Sequence, residues 1–284
     1  MQLEDARTLI ARETRISEGA VPASLDGVVV EADCWHITPD AFLMRAQNLI
    51  SFYYRRGHGV VFQRRPEIPD ATVELFYHGS VHGAIAWISG FVPLHASAVV
   101  QSERIVAFTG DSGAGKSTTV AGLASPLTPL FADDVLILDL RDPETVTALP
   151  GHKMLKLCGD AFDMLGAERG LRVYPGLDKF FAVSPHRSSA GALPLGMLYF
   201  LGEGEMASSK MTGGERFGAI SSALYRPEYA LGAGLDFSKL FALRARLAVS
   251  VPMMRLSRPR SHIRFAESTA FVRHAMMAGF LQSA

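Results

Sequence analysis

Cysteine is scarce in this chain and neither sign of charge dominates. The 284 residues hold two cysteines, Cys34 and Cys158, with neither CxxC nor zinc-ligand spacing, which excludes a disulfide framework and a structural zinc site. Both are expected to be ordinary buried thiols, and the expected location is cytoplasmic. Lysine and arginine total 28, as do aspartate and glutamate, so no net field draws the chain to nucleic acid or to an anionic membrane. Neither is expected as a partner. Long hydrophobic runs are missing too. The most apolar window, 84–100, is interrupted by Gly90, Pro93 and His95, is short for a membrane span, and reads as a buried helix, a turn and a strand. The opening MQLEDARTLIARETRI reads as an amphipathic helix of mixed charge, without the apolar core that a signal peptide requires. Internal repeats and low-complexity segments are also lacking.

What the chain has is a complete GxxxxGK[ST] run: Gly110, Asp111, Ser112, Gly113, Ala114, Gly115, Lys116 and Ser117, followed by Thr118. The apolar stretch 105–108 reads as a strand leading into it, and a helix is predicted over 116–123. A polyphosphate needs many donors at close range, and glycines supply them by letting successive N–H groups turn inward. The helix N-terminus adds its dipole at the same point. Lys116 would reach the β and γ phosphates, and Ser117 would offer its hydroxyl to Mg²⁺. The pattern therefore predicts a nucleoside triphosphate site. Downstream, Phe131-Ala132-Asp133-Asp134 places paired carboxylates only one short helix and one short strand after Lys116.

The expected fold class is α/β with a mixed sheet, divided into a small β-rich α+β region over 1–70 and a P-loop catalytic domain over 71–284. A strand is read over 27–37, a hairpin over 53–63 with its turn at RGHG, a breaker cluster at Pro66, Pro69 and Asp70, and a helix over 72–88. A four-residue turn at 101–104 between two strands just before the phosphate loop implies an antiparallel or mixed sheet. Helices are read over 221–225, 237–249 and 267–281, with breaks at Pro252 and Pro259. Residues 208–215 read as an exposed loop, and Arg255, Arg258, Arg260 and Arg264 as a basic cluster that could meet an acidic peptide but reads first as a solvated charged edge.

The segments LHASAVV, IVAFTGDSGAGKSTT and PLFADDVLIL, in register, resemble the catalytic domain of the HPr kinase/phosphorylase family, whose fold is shared with ATP-dependent phosphoenolpyruvate carboxykinases. The resemblance covers roughly 91–140 well. It implies a P-loop kinase that uses ATP and Mg²⁺. It further implies that Asp133 is the base on an acceptor serine, that Asp134 with Ser117 holds the metal, and that His95 orients or polarises the catalytic aspartate. On the residues alone, either aspartate could cap the turn and His95 could be a satisfied core histidine. Lys153, Lys156 and Lys179 are the available further cations, with Lys156 and Lys179 as candidates for touching phosphate or substrate.

Where bifunctional members of that family carry a stretch close to EVRGLGI, this chain has LPGHKMLKL over 149–157 and no glutamate. The resemblance is closer to HPr-kinase-related proteins that phosphorylate a C-terminal serine of lasso-peptide precursors, which share that stretch and a YRPEY-like segment, here 225–229. The expected partner is thus a peptide or small protein with an acceptor serine, and a homo-oligomer is allowed. A small-molecule kinase and a regulatory P-loop ATPase without an acceptor stay open. A carboxykinase is disfavoured because its oxaloacetate-binding and metal-ligand set is not found.

Overall fold

The computed structural model describes residues 4–46, 49–174 and 176–281. Its contacts divide the chain into two units, Met1–Pro93 with Tyr225–Leu243, and Leu94–Leu224 with Arg244–Ala284. This division differs from a boundary at residue 70. The helical stretch after Pro69 packs on the N-terminal strands, and a short helix from late in the chain joins them.

The first unit is built on a six-stranded sheet in the order Ile16–Glu18, Gly59–Arg64, Ile50–Arg55, Ala41–Ala46, Trp35–Ile37, Val30–Ala32. All neighbours are antiparallel except the first pair. The hairpin read around RGHG is present, with Gly57 and Gly59 in the left-handed region that its turn requires. The single strand read over 27–37 is instead two short antiparallel strands, because a turn at Asp33 and Cys34 reverses the chain. That turn leaves Cys34 exposed, contrary to the expectation of a buried thiol. The helix Ala6–Glu13 ends in a buried carboxylate that accepts from Tyr54 Oη at 2.9 Å and from the Gly57 N–H at 2.8 Å. The helix read over 72–88 runs from Asp70 to Ile88 with a π-helical turn at Tyr77–Val81. The YRPEY segment has a packing role in this unit. The Tyr225 carbonyl accepts from Trp87 Nε1 at 2.9 Å, and the buried Tyr229 ring lies 4.7 Å from Trp35 and 5.2 Å from Phe42.

The second unit carries the glycine-rich loop 110–115 on a mixed sheet, and the mixed sheet is as expected. The hairpin Ala96–Gln101 and Arg104–Thr109 is antiparallel, and its second strand runs parallel to Leu193–Glu203, which runs parallel to Met253–Arg258. Leu130–Ala132 pairs with Ala96–Gln101 on the other side of the hairpin. Two of these strands went unread in the sequence. Leu193–Glu203 lies in a long apolar run, and Met253–Arg258 is a short strand bracketed by the prolines taken as helix breaks. Residues 208–215 are likewise an edge strand and the start of the helix Gly213–Ala223, not one loop. A core of Val99, Val106, Phe108, Val120, Leu123, Tyr199 and Leu256 fills the space between sheet and helices, with Val272 and Met276 from the helix Phe265–Leu281. No helix among the described residues is long and apolar enough to cross a membrane.

Candidate functional site

The strand Arg104–Thr109 ends inside the core, and the loop 110–115 turns directly into the helix Lys116–Leu123. Gly115 caps that helix at φ 81°, a backbone state that disfavours any side chain, and a Cβ there would meet Arg258 Nη2 at 2.7 Å. Lys116 is 6% exposed. Its Nζ donates to the Gly110 and Asp111 carbonyls at 2.9 and 3.1 Å, so the amine is folded onto the loop it serves. Burial pushes its pKa down, against the pull of Asp134 and Asp133.

Asp133 and Asp134 sit in the bend between Leu130–Ala132 and Leu136–Asp139, and the bend separates their environments. Asp133 is 2% exposed. Its carboxylate accepts from Ser97 Oγ at 2.6 Å and from the Lys156 backbone N–H at 3.2 Å. Burial nevertheless raises its pKa, with Asp134 adding to the rise. Asp134 has φ 73°, a left-handed turn that swings its side chain the other way. It receives Lys156 Nζ at 2.7 Å and lies 3.4 Å from His95 Nδ1, which also meets the Asp134 carbonyl at 3.1 Å. Burial opposes its ionisation, but Lys156, then His95 and Lys179, hold its pKa below the usual range. His95 is pushed down by burial and by Lys116.

His95 is anchored by its backbone. Its N–H donates to the Ala223 carbonyl at 2.8 Å, and its carbonyl accepts from Thr109 Oγ1 at 2.9 Å at the end of the P-loop strand. The strand expected at the end of the 84–100 window is interrupted at this residue, which lies between Val92–Leu94 and Ala96–Gln101.

Lys156 belongs to Met154–Cys158, paired antiparallel with Lys179–Val183 so that Cys158 faces Lys179. Alternation puts Leu155 and Leu157 into the core and leaves Lys156, Cys158 and Lys179 on the open side. Cys158 is therefore exposed, not buried. Lys179 makes no ion pair among the described residues, although its charge is felt by Asp134, His95 and Lys116.

One cavity of about 290 Å³ is lined by His95, Ser112 to Thr119, Asp133, Asp134, Lys156 and Lys179 together with Arg258. All the expected site residues except Gly110 and Asp111 border it, as does Cys158, whereas Lys153 does not and donates to the Gly151 carbonyl at 3.5 Å. Arg258 was missed. Far from a solvated edge, its Nη2 donates to the Ala114 and Gly115 carbonyls at 3.1 and 3.3 Å and to Thr119 Oγ1 at 2.6 Å. It has no carboxylate partner among the described residues, and burial lowers its pKa. The only signal in the sequence was an arginine immediately before Pro259, where a strand can end.

No protein-family profile and no curated protein sequence match the chain. Among solved structures, the HPr(Ser) kinase/phosphatase from Coxiella burnetii aligns with 66% of this chain and 97% of its own, at 14% identity and a TM-score of 0.33.

Proposed function

We propose that this chain is an ATP-dependent phosphotransferase that moves the γ-phosphoryl group to a serine hydroxyl of a peptide or small protein. The observation that carries the reading is the convergence of Lys116, Asp133, Asp134 and His95 on one cavity at the mouth of a strand–loop–helix phosphate cradle. Positioning and charge neutralisation are most of what phosphoryl transfer asks of a protein. Three cations border the cavity without a carboxylate in contact among the described residues, Lys116, Lys179 and Arg258, and they suit a triphosphate.

The geometry favours exchanging the two aspartate roles implied by the family resemblance. Ser117 and Asp133 line the same cavity, and a hydroxyl and a carboxylate facing one space suit Mg²⁺, which takes few protein ligands and completes its shell with phosphates and water. Mg²⁺ held there would neutralise charge on the phosphate oxygens. Asp134 is the carboxylate that reaches His95 and the open cavity. We assign it as the base: it takes the proton of the acceptor hydroxyl as that oxygen bonds to the γ phosphorus, and the bond to the departing ADP oxygen breaks. His95 orients it, and Lys156 holds it ionised until the acceptor arrives.

The test is incubation of the protein with γ-labelled ATP, Mg²⁺ and candidate peptides, including lasso-peptide precursors ending in serine. Label on a peptide serine that disappears with Lys116→Ala supports the reading, and hydrolysis with no labelled acceptor refutes it. Asp134→Asn should lower transfer by about 10²–10⁴-fold with Mg·ATP affinity kept. Asp133→Asn should instead remove the Mg²⁺ dependence of nucleotide binding. The reverse pattern would restore the roles the resemblance implied.

A further inference from the structure

The first unit holds a side-chain cluster that the phosphotransferase reading does not use. His78 and His82 lie four residues apart in the helical run Asp70–Ile88, at its π-helical turn Tyr77–Val81, and their Nδ1 atoms come within 3.2 Å of each other. We infer that the two imidazoles form a site for a divalent transition-metal ion of the nickel, copper and zinc class. The inference stands apart from the nucleotide cavity.

The backbone brings the two rings together. In an α-helix, residues four apart share a face but are offset around the axis. Here the His82 N–H donates to the Tyr77 carbonyl, five residues back, and the wider turn rotates less per residue, so His78 and His82 stand more nearly in line. Single π turns are rare in helices and recur at functional sites. Tyr77 holds the pair in place. Its buried ring lies 4.8 Å from that of His78 and 4.9 Å from that of His82, and its Oη donates to the Thr14 carbonyl. The imidazole ring centres are 5.2 Å apart, with their planes 30° from parallel. Packing of this kind sets the ring orientation before an ion arrives, which lowers the entropy lost on binding.

The spacing fits the chemistry. Imidazole nitrogen binds such ions at about 2.0–2.1 Å, so two nitrogens 3.2 Å apart subtend about 100° at a shared ion, between the octahedral and tetrahedral angles. Without an ion the same spacing serves one N–H···N hydrogen bond, so ion and proton compete for a single gap. The described residues bring no third His, Cys, Asp or Glu to the pair, and both rings are half-buried, so water completes the shell. Nitrogen ligands suit nickel, copper and zinc, whereas Mg²⁺ and Ca²⁺ take oxygen.

The experiment titrates Ni²⁺ and Zn²⁺ into the whole chain by calorimetry, without nucleotide. A Cys34→Ser, Cys158→Ser background removes the two exposed thiols as competing ligands. One equivalent of either ion should bind and raise the melting temperature, with excess Mg²⁺ leaving the affinity unchanged. His78→Gln and His82→Gln each keep a donor and an acceptor for the remaining imidazole but remove a nitrogen ligand. Each should weaken binding by about tenfold or more, at least what loss of an outer-shell partner costs, and cancel the thermal shift. His58→Gln, on the hairpin of the same unit, should bind as its parent does. A second measurement needs no histidine variant: in nitrogen-15 spectra, Zn²⁺ should move the Nδ1 resonances of His78 and His82 together. A parent chain that takes up neither ion, equal uptake by parent and both glutamine variants, or shifts confined to other histidines overturns the site.

Discussion

At the scale of single residues, position decides what identical side chains do. Adjacent aspartates have opposite environments because Asp134 takes a left-handed backbone, φ 73°, and turns away from its neighbour. Their pKa values accordingly move in opposite directions, up for Asp133 and down for Asp134. Arg258 gives a residue-scale prediction. Its Nη2 ties the Ala114 and Gly115 carbonyls of the glycine-rich loop to Thr119 on the following helix, which fixes the loop's shape beside the cavity. Arg258→Ala should weaken triphosphate binding by about tenfold, the worth of a charged hydrogen bond, with Arg258→Lys recovering part of it in the same titration. A pH effect belongs here too. Burial lowers the His152 pKa to about 4, with Lys156 adding to it, and burial with Lys116 also lowers that of His95. A histidine whose folded pKa is depressed stays neutral while the unfolded chain takes up a proton. Stability therefore falls as pH drops from about 6.5 toward 4, and His152→Gln should flatten part of that slope in melting curves taken across the window.

At the scale of elements, the parts set by local chemistry were the legible ones. The P-loop helix starts at Lys116 as predicted, because its glycines and its lysine leave one way to fold. The hairpin turn at 101–104 was also legible in place, though not in conformation. Ser102 and Glu103 both have positive φ, 47° and 57°, as a two-residue primed turn demands, yet neither is glycine. Substituting Asn at 102 and Gly at 103 should therefore stabilise the chain by about 1 kcal/mol, seen as a higher melting temperature with unchanged nucleotide affinity. Met253–Arg258 was not legible because its partner strand, Leu193–Glu203, lies some fifty residues earlier, and six residues between prolines carry no periodicity that separates strand from loop. Missing that strand is what sent Arg258 to a solvated edge.

At the scale of the molecule, the division of the chain matters for any fragment. The helical run Asp70–Ile88 buries Val81, Ile85, Trp87 and Ile88 in the unit that contains the N-terminal strands, and Tyr77 Oη donates to the Thr14 carbonyl. A fragment starting at residue 71 exposes that apolar face and should not show a single cooperative unfolding transition by circular dichroism. The intact chain with saturating Mg·ATP should gain about 2.7 kcal/mol at a ligand concentration of one hundred times the dissociation constant, measurable as a raised melting temperature. Lys116→Ala should show no such gain.

The sequence by itself determined the glycine-rich turn from strand to helix, the mixed sheet and the two lysines that reach the cavity, because each follows from neighbours a few residues apart: glycine freedom, a short turn, the alternation of a strand. Tertiary structure alone decided which aspartate is enclosed against Ser97 and which meets His95 and Lys156, and that Arg258 supports the loop from a strand more than a hundred residues away. Those facts depend on the left-handed turn at Asp134 and on pairing between distant strands. Neither leaves a local pattern, since both arise only when the chain is closed upon itself.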